Sequence, residues 1–463
     1  MFDKVFKAYD VRATVPDPLN PDVARRIGFG CARLLLEEAD ALGRTDPASR
    51  RIVVGRDMRP SSPSLVEALK AGMRAAGADV VDVGLVDTPF IYFAVNHLDA
   101  AGGVQTTASH NPIQYNGFKV SRVEAKPVGK GSGLEIIQRY AEEDDGVGEP
   151  RGQESTADLW DEYRQHVHQF LHPDLISGKQ KLKVAVDASN GMAGTFMPKV
   201  FGDVPGLEII EINYENDKGV FVHEPNPLVE ANLRQVRDAA VEHGAAVGIC
   251  FDGDADRCMV VDEQGLPVGC DLLTAWLAGS FLSKCPGSSI VYDLRSSHSV
   301  PEIIEQHGGV PNRSRVGHVF MKGKARETDA VFGGELSGHF YFRDNFFADS
   351  GAMAFAAVVS NLLDFDGNMS DAIAPARKYV QSGEINFETP DKQAAMDALV
   401  AAYPQATTDT LDGVTVDLGE WWCNVRASNT EPLLRLNLEG PTAELVDEKV
   451  AEVSALLGTR VEE

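Results

Sequence analysis

A buried β-strand that ends in a polar loop is predicted by the stretch RIVVGRD at residues 51–57. Ser62 and Pro63 follow, and they predict a helix with Ser62 as its N-cap and Pro63 at its first helical position. The same succession recurs in KVAVDASNG at residues 183–191 and in IVYDLRSS at residues 290–297. The three copies predict three related α/β units of roughly 100 residues each.

Each unit contains a later apolar strand that leads into a second polar loop. The predicted strand Gly102–Thr106 leads to Ser109, Val247–Phe251 leads to Asp252, and residues 330–334 lead to Glu335. Open α/β sheets bind ligands beyond the carboxyl ends of their strands. We therefore expect these loops to contribute to one composite site.

The last stretch, from about residue 371, has a different pattern. A predicted strand at 421–425 precedes the polar loop RASNTEP at 426–432, and a closing helix at 442–457 ends before Gly458. These features predict a smaller α+β domain that has its own polar loop.

Length, charge and cysteine content narrow the functional classes. A chain of 463 residues is too long for one hydrophobic core, and its net charge of −26 argues against nucleic-acid or anionic-membrane partners. No apolar run reaches the length of a membrane span and the N-terminus has no apolar signal region, so we expect a cytoplasmic protein. The six scattered cysteines form no Cys-x-x-Cys pair, which favours reduced thiols.

A divalent-cation site is predicted by Asp252, Asp254 and Asp256, which alternate directly after a buried strand. Gly253 would let the loop curl so that all three carboxylates face one point, and magnesium is the expected ion. An EF-hand calcium loop is disfavoured, because its sixth position would be Arg257 instead of glycine and the flanking segments are strand-like. An acidic surface turn is the remaining alternative.

Ser109 is the candidate reactive group, in the loop TASHNP at residues 107–112. It could be an ordinary loop serine, but a hydrolase nucleophile would require a Gly-x-Ser-x-Gly elbow, which Ala108 and His110 do not supply. A phosphorylated serine fits best with a cation site elsewhere in the chain. His110 could orient the loop or carry a proton, and orientation is favoured because neighbouring side chains rarely face the same point.

Two further loops have the chemistry of sugar-phosphate binding. Guanidinium and hydroxyl donors match phosphate oxygens, although a capped turn before Pro432 would explain all of them except Arg426. The phosphate-type donors are Arg426, Ser428, Asn429, Thr430 and Arg435. A glycine-rich loop carries Glu335, Ser337 and His339, which suit sugar hydroxyls, with a plain strand-ending turn as the alternative.

Taken together, these four motifs resemble the α-D-phosphohexomutase superfamily, most closely its bacterial phosphomannomutase/phosphoglucomutase group. The resemblance covers essentially the whole chain and keeps the family's order of phosphoserine, metal, sugar and phosphate loops. Further matching stretches are FKAYDVR at 6–12, GRDMR at 55–59, NGFK at 116–119 and HEPNP at 223–227.

The resemblance implies an α/β protein with three similar mixed-sheet domains and a C-terminal α+β domain around a central cleft. The expected domains are residues 1–154 with the phosphoserine loop, 155–258 with the metal loop, 259–370 with the sugar loop and 371–463 with the phosphate loop. It further implies interconversion of hexose 1-phosphate and hexose 6-phosphate, with mannose or glucose as the sugar, through a phosphoserine enzyme and a 1,6-bisphosphate. Glucose or mannose 1,6-bisphosphate would act as the activator, and the protein would be a monomer or a dimer.

The resemblance also implies a role for each candidate residue. Ser109 would carry the phosphoryl group, and one Mg²⁺ per chain would bind Asp252, Asp254, Asp256 and a phosphate oxygen on Ser109. The other catalytic candidates are Arg12, His110, Lys119, Arg257 and His339, of which Lys119 and His339 are candidates for proton transfer. The substrate-binding candidates are Tyr9, Arg295, His318, Glu335, Ser337, Arg426, Ser428, Asn429, Thr430 and Arg435.

Three alternative functions remain open at this point. Phosphoglucosamine mutase is the alternative within the family. A metal-dependent sugar phosphatase would pass the phosphoryl group of Ser109 to water instead of to a sugar. A phosphosugar-binding protein without activity is disfavoured by an intact Ser109 and an intact carboxylate cluster.

Overall fold

The computed structural model describes residues 2–144, 146, 148–428 and 433–461. The chain divides into two compact units. The first contains Met1–Val268 and Ser337–Ser370, and the second contains Gly269–Leu336 and Asp371–Glu463. The four-domain boundaries expected from the sequence, after residues 154, 258 and 370, stay predictions.

The first sheet is mixed and has the strand order β1-β5-β4-β2-β3-β6. Its strands are β1 (Val11–Thr14), β2 (Ile52–Arg56), β3 (Val80–Leu85), β4 (Gly102–Thr106), β5 (Tyr115–Arg122) and β6 (Glu154–Thr156). The associated helices are α1 (Pro21–Ala41), α2 (Ser62–Ala75), α3 (Thr88–His97) and α4 (Leu134–Glu143). β2 runs parallel to β3 and β4, whereas β5 is antiparallel to β4, so the polar loops after β2, β3 and β4 leave the same edge.

The second sheet is also mixed and has the order β11-β10-β9-β7-β8. Its strands are β7 (Leu182–Asp187), β8 (Leu207–Ile212), β9 (Val247–Phe251), β10 (Cys258–Val261) and β11 (Pro267–Val268). The helices of this region are α5 (Trp160–His168), α6 (Pro173–Ile176), α7 (Ala193–Phe201) and α8 (Arg234–Glu242). β7 is parallel to β8 and β9, and every residue of β9 is buried, so the acidic loop starts at the end of a central strand.

The second unit begins with three parallel strands in the order β13-β12-β14. They are β12 (Ser289–Asp293), β13 (Val310–Ser314) and β14 (Phe332–Gly334), with helices α9 (Cys270–Lys284), α10 (Ser299–Gln306) and α11 (His318–Glu327). The chain then supplies the first unit with an antiparallel pair, β15 (Phe340–Phe342) and β16 (Ala348–Asp349), and with helix α12 (Gly351–Asp364). Phe355 of α12 packs on Phe201 with ring centroids 4.6 Å apart, which attaches this segment to the first unit.

The remainder of the second unit is built on an antiparallel sheet. Its strands are β17 (Val380–Gln381), β18 (Ile385–Glu388), β19 (Thr407–Asp409), β20 (Val414–Asp417), β21 (Trp422–Ala427), β22 (Leu434–Gly440) and β23 (Thr459–Val461). Its helices are the short α13 (Met369–Ile373), which starts at the end of the first unit, and α14 (Lys392–Ala402) and α15 (Ala443–Leu457). Apolar residues of the strands and of α14 and α15 form one core, including Phe387, Val425 and Leu436.

The α/β class with mixed sheets and a C-terminal antiparallel domain is confirmed. The prediction for the start of α2 was wrong by one residue, because Ser61 occupies the N-cap position and Ser62 is the first helical residue. The Ser62 hydroxyl donates instead to Asp57 Oδ1 at 2.6 Å. The predicted closing helix is confirmed, with the Thr442 side chain accepting from the amide of Leu445 as its N-cap.

None of the helices in the described part of the chain combines the length and the apolar character that crossing a bilayer requires.

Close packing of α1 on α2 depends on glycine. A Cβ on Gly72 would lie 1.8 Å from the carbonyl oxygen of Arg25, and a Cβ on Gly28 would lie 2.1 Å from that of Leu69. Backbone atoms cannot move away as a flexible side chain can, so the two helices approach as closely as they do only because both positions lack a side chain.

We expect Gly72→Ala to lower the free energy of unfolding by about 1–3 kcal/mol, because the added methyl group overlaps the backbone of α1. Gly323→Ala is the matched control, since nothing lies within 4 Å of a Cβ at this exposed helical position. This control should raise stability by about 0.5–1 kcal/mol. Scanning calorimetry of both variants measures the difference, and equal effects would contradict the packing argument.

Candidate active site

Ser109 lies in a strained turn after β4. Its φ is +50°, in the left-handed region that non-glycine residues rarely occupy, and its side chain is buried. Its amide donates to Thr107 Oγ1 at 2.9 Å. Because strain of this kind persists only where the surroundings enforce it, the neighbours of this turn determine where the hydroxyl lies.

The main neighbour is Arg59, whose side chain is fully buried. Its guanidinium donates to four backbone carbonyl oxygens of the serine loop and its continuation. These acceptors are Ser109 at 2.8 Å, Asn111 at 2.7 Å, Pro112 at 2.7 Å and Tyr115 at 3.0 Å. Asp57 completes the arrangement, since its Oδ2 accepts from Arg59 Nε at 3.1 Å. Arg59 thus makes five directed bonds from one planar group. Four of them set the path of the serine loop, and the fifth joins the guanidinium to Asp57.

The acidic loop after β9 meets the serine loop directly. Ser109 Oγ donates to Asp252 Oδ2 at 2.8 Å. A Cβ on Gly253 would lie 2.3 Å from the Ser109 carbonyl oxygen, so this position needs glycine for close approach. The loop takes its left-handed residue at Ala255 instead, with φ +59°. Gly253 is therefore needed for close approach to the serine loop. The left-handed residue that turns the acidic loop is Ala255, not Gly253 as the sequence prediction implied.

The three carboxylates predicted to bind a cation converge. Asp252, Asp254 and Asp256 are all buried, and each offers a ligand oxygen within 4.8 Å of the others. Burial and the nearby Asp256 and Asp254 carboxylates raise the pKa of Asp252 to about 8. So much buried negative charge needs cationic compensation.

Protein groups provide part of that compensation. Lys119 Nζ lies 2.7 Å from Asp254 Oδ2 and 2.6 Å from Asp256 Oδ2. Burial lowers the pKa of Lys119, but the Asp254 and Asp256 carboxylates outweigh it and raise the pKa well above its usual range. Thr88, the first residue of α3, donates its hydroxyl to Asp254 Oδ2 at 2.5 Å, which fixes this carboxylate from the other side.

The side chain of His110 faces the Ser109 hydroxyl. Its Nδ1 lies 3.3 Å from Ser109 Oγ, so the expectation that the two neighbouring side chains face different points was wrong. The left-handed turn at Ser109 brings both onto one side. Burial and the nearby Arg257 and Arg12 guanidinium groups lower the pKa of His110 well below its usual value, so its ring is neutral at physiological pH.

A second hydrogen-bonded chain runs through His339. Arg257 Nε donates to His339 Nε2 at 3.1 Å, and His339 Nδ1 lies 2.7 Å from Asp349 Oδ2. Since Nε2 accepts, the ring carries its proton on Nδ1 and donates it to Asp349. Burial lowers the pKa of His339, but Asp256 and Asp349 outweigh it and raise the pKa above its usual value.

Other predicted residues of the first unit lie around this cluster. Arg12 is held next to the serine loop, since its guanidinium donates to Asn111 Oδ1 at 2.7 Å and to Asp10 Oδ2 at 2.5 Å. Tyr9 is half-buried in the bend that precedes β1. Ser337 Oγ is buried and has no hydrogen-bond partner among the described residues.

The second unit gathers the predicted substrate-binding residues at its own strand ends. Arg295, after β12, makes a two-point contact with Asp293, with Nε 3.1 Å from Oδ1 and a terminal nitrogen 2.9 Å from Oδ2. Glu335, after β14, lies 3.7 Å from Arg295 and accepts from the amide of Gly317 at 3.1 Å. Gly317 is the N-cap of α11, so Glu335 lies at the helix start that carries His318.

The predicted phosphate loop follows β21. Arg426 and Arg435 are directly opposite each other on β21 and β22. Ser428 stays at the base of the connecting loop, with its amide bonded to the Leu433 carbonyl at 2.9 Å. Asn429 and Thr430 lie outside the described residues. Glu384, which the sequence did not single out, contacts Arg295, Arg426 and Arg435.

The sequence matches four domain families in order along the chain. Residues 3–146, 161–265 and 271–379 match phosphoglucomutase/phosphomannomutase alpha/beta/alpha domains I, II and III, and residues 384–456 match the C-terminal domain. The chain belongs to the phosphoglucomutase/phosphomannomutase family. The order of its serine, acidic, sugar and phosphate loops is thus that of the family's four domains.

Individual relatives in this family are similar over nearly their whole length. One relative is a protein of Xanthomonas campestris pv. campestris (strain B100) with the name "Phosphohexose mutases". It is 39% identical over 457 residues, covering 98% of both chains. A phosphomannomutase of Escherichia coli is 37% identical, again over 98% of both. A crystal structure of a family protein from Burkholderia thailandensis aligns with a TM-score of 0.86 at 31% identity, covering 98% of this chain and 97% of that one.

The donor set of the acidic loop fits a divalent cation. Asp254 Oδ1 and Asp256 Oδ1 are buried without a hydrogen-bond partner among the described residues, and hard carboxylate oxygens suit Mg²⁺. A second group, Asp256, His339 and Asp349, is equally compact. It fits a cation less well, because both ring nitrogens of His339 are engaged by Arg257 and Asp349.

The two groups share Asp256, so Asp252 and Asp349 distinguish them. We expect Asp252→Asn to weaken Mn²⁺ binding at least roughly tenfold, because the substitution removes one ligand charge from the first group. Asp349→Asn is the matched control, a buried carboxylate of the second group, and should change the affinity little. Calorimetric titration with Mn²⁺ measures both, and the reverse ranking would place the ion at His339.

Proposed function

We propose that this chain is a phosphohexomutase that interconverts hexose 1-phosphate and hexose 6-phosphate, with mannose or glucose as the sugar. The observation that carries the proposal is the buried Ser109 hydroxyl, 2.8 Å from a carboxylate of the acidic cluster. A buried serine hydroxyl placed next to a cation site is suited to store a phosphoryl group. Membership of the family supports the same reading.

The first transfer starts from phosphorylated Ser109. The bond between phosphorus and the Ser109 oxygen breaks while phosphorus bonds to the free hydroxyl oxygen of the hexose monophosphate. That hydroxyl loses its proton to a base, the departing Ser109 oxygen takes up a proton, and the products are a hexose 1,6-bisphosphate and free Ser109. The reverse step then passes the other phosphoryl group to Ser109 and leaves the isomeric monophosphate.

Charge on the transferring group is offset by residues of the first unit. Arg257 lies within 3.7 Å of Asp252 and presents a guanidinium next to Ser109. Asp252, Asp254 and Asp256 would hold one Mg²⁺, together with a phosphate oxygen on Ser109. The ion would supply further positive charge where negative charge accumulates.

Proton transfer has two candidates with different charge states. Lys119 is held protonated by two carboxylates, so it is suited to stabilise charge or to return a proton. His339 Nε2 accepts from Arg257 and Nδ1 donates to Asp349, so His339 can act as a base only when Arg257 leaves Nε2. Lys119 and His339 stay the two candidates for proton transfer.

The second unit supplies groups for the non-reacting end of the substrate. Arg426 and Arg435 present paired guanidinium groups suited to a phosphate, with Ser428, Asn429 and Thr430 in the same loop. Glu335 would accept hydrogen bonds from sugar hydroxyls, and Ser337, which belongs to the first unit, would be a further contact. Mannose and glucose differ only at C2, so contacts at the other hydroxyls would admit both sugars.

The proposal predicts isomerisation, not hydrolysis. With Mg²⁺ and a trace of glucose 1,6-bisphosphate, glucose 1-phosphate and mannose 1-phosphate should each be converted to the 6-phosphate, faster than glucosamine 1-phosphate. Products are separated by chromatography, and Ser109→Ala should reduce turnover by several orders of magnitude. Free phosphate as the main product would indicate a phosphatase, and full activity of Ser109→Ala would exclude a phosphoserine mechanism.

Arg59 is a positioning residue in this scheme, because its guanidinium bonds to Asp57 and to the backbone that carries Ser109. Arg59→Lys keeps the charge but loses most of the five directed bonds, so kcat should fall roughly 10- to 100-fold with KM little changed. Arg51→Lys is the control and should retain kcat, because within the described residues the replaced guanidinium bonds to the Ala48 carbonyl alone. A lower melting temperature with unchanged kcat would limit Arg59 to a stabilising role.

A further inference from the structure

One carboxylate, that of Glu384, contacts three arginines of the second unit. Glu384 Oε2 is 2.8 Å from Arg426 and 3.5 Å from Arg295, and Glu384 Oε1 is 3.1 Å from Arg435. Both carboxylate oxygens therefore contact guanidinium groups. The side chain is 26% exposed, whereas that of Arg426 is 2% exposed.

The arginines need a counter-charge because of where the sheet places them. Arg426 and Arg435 are direct partners across β21 and β22, and like charges at such a position repel each other. Burial, followed by the nearby Arg295 guanidinium, lowers the pKa of Arg426, while Glu384 acts in the opposite direction. An anion at this point is thus part of what keeps three guanidinium groups together.

A tight turn before β18 positions Glu384 next to these arginines. Ser382 bonds twice to Leu438 of β22, its amide donating at 2.8 Å and its hydroxyl accepting at 3.0 Å. Gly383 has φ +70°, and β18 begins directly after Glu384 at Ile385. The turn is anchored to the strand that carries Arg435, so the carboxylate is held at Arg426 and Arg435 by the same sheet.

Carboxylate and phosphate oxygens use the same guanidinium donors. We propose that Glu384 is an internal competitor of the substrate phosphate at Arg426 and Arg435, and that it lowers phosphate affinity so that the bound phosphate can be released. A phosphate that binds these arginines must displace the carboxylate or share its donors. This inference rests on the proposed function, in which these arginines hold the non-reacting phosphate.

The proposed reaction includes a step in which a competitor of the phosphate would raise the rate. Between the two transfers, the bisphosphate must withdraw one phosphate from the arginines and present the other. Without Glu384, Arg426 and Arg435 would hold a dianionic phosphate more strongly and slow this exchange. Binding the substrate too tightly in its ground state gains nothing in turnover. Glu384 replaces the departing phosphate and keeps the arginines in place.

The decisive comparison is Glu384→Gln, which keeps the shape of the side chain and removes its charge. Inorganic phosphate, titrated calorimetrically into the full chain in a Ser109→Ala background, should bind about tenfold more tightly. With Ser109 intact, KM for hexose phosphate and kcat should both fall. Glu388→Gln, at the exposed end of β18, makes the same change in net charge and should leave all three values unaltered.

A purely structural role of Glu384 predicts changes in phosphate affinity and in KM that are opposite to those given above. If Glu384 only orders the arginines, its loss would weaken phosphate binding and raise KM, and that result, or an unchanged affinity, would overturn the proposal. Glu384→Ala should shift phosphate affinity in the same direction as Glu384→Gln, which guards against an effect peculiar to glutamine. Phosphate binding does not require turnover, so failure of the proposed mutase activity would show separately in the isomerisation assay.

Discussion

The contact between the serine loop and the acidic loop is the constraint on which the rest of the first unit depends. Ser109 Oγ donates to Asp252, while the Ser109 carbonyl lies against Gly253 on one side and accepts from Arg59 on the other. Such an approach places a reactive hydroxyl next to three buried carboxylates. The backbone strain at Ser109 is sustained because four hydrogen bonds from Arg59 hold the surrounding chain.

Charge is arranged in opposite ways in the two units. The first concentrates carboxylates and balances them with Lys119, whereas the second concentrates arginines and balances them with Glu384. A cation site and a phosphate site are both costly to keep together in a protein interior, because like charges repel strongly at low dielectric. In each unit, side chains of opposite sign lower that cost while leaving ligand-binding atoms available for exchange.

Much of this arrangement could be predicted from the sequence. Apolar runs that end in polar loops identify β2, β4, β7, β9 and β12, and the loops after them carry most of the candidate residues. Arg59, Thr88 and Glu384 were not recognised, because their roles arise from long-range contacts with backbone carbonyls or with side chains distant in sequence. The position of His110 was misjudged for a related reason, since its direction depends on the left-handed conformation of Ser109.

The central claim is that Ser109 stores a phosphoryl group and passes it to a sugar. A single-turnover chase tests this most directly. The protein is labelled with ³²P from labelled glucose 1,6-bisphosphate, freed of excess label, and mixed with unlabelled hexose 1-phosphate. The account predicts that the label leaves Ser109 within one turnover and appears in hexose bisphosphate and hexose 6-phosphate. Label that remains on the protein, or that appears as inorganic phosphate, would contradict it.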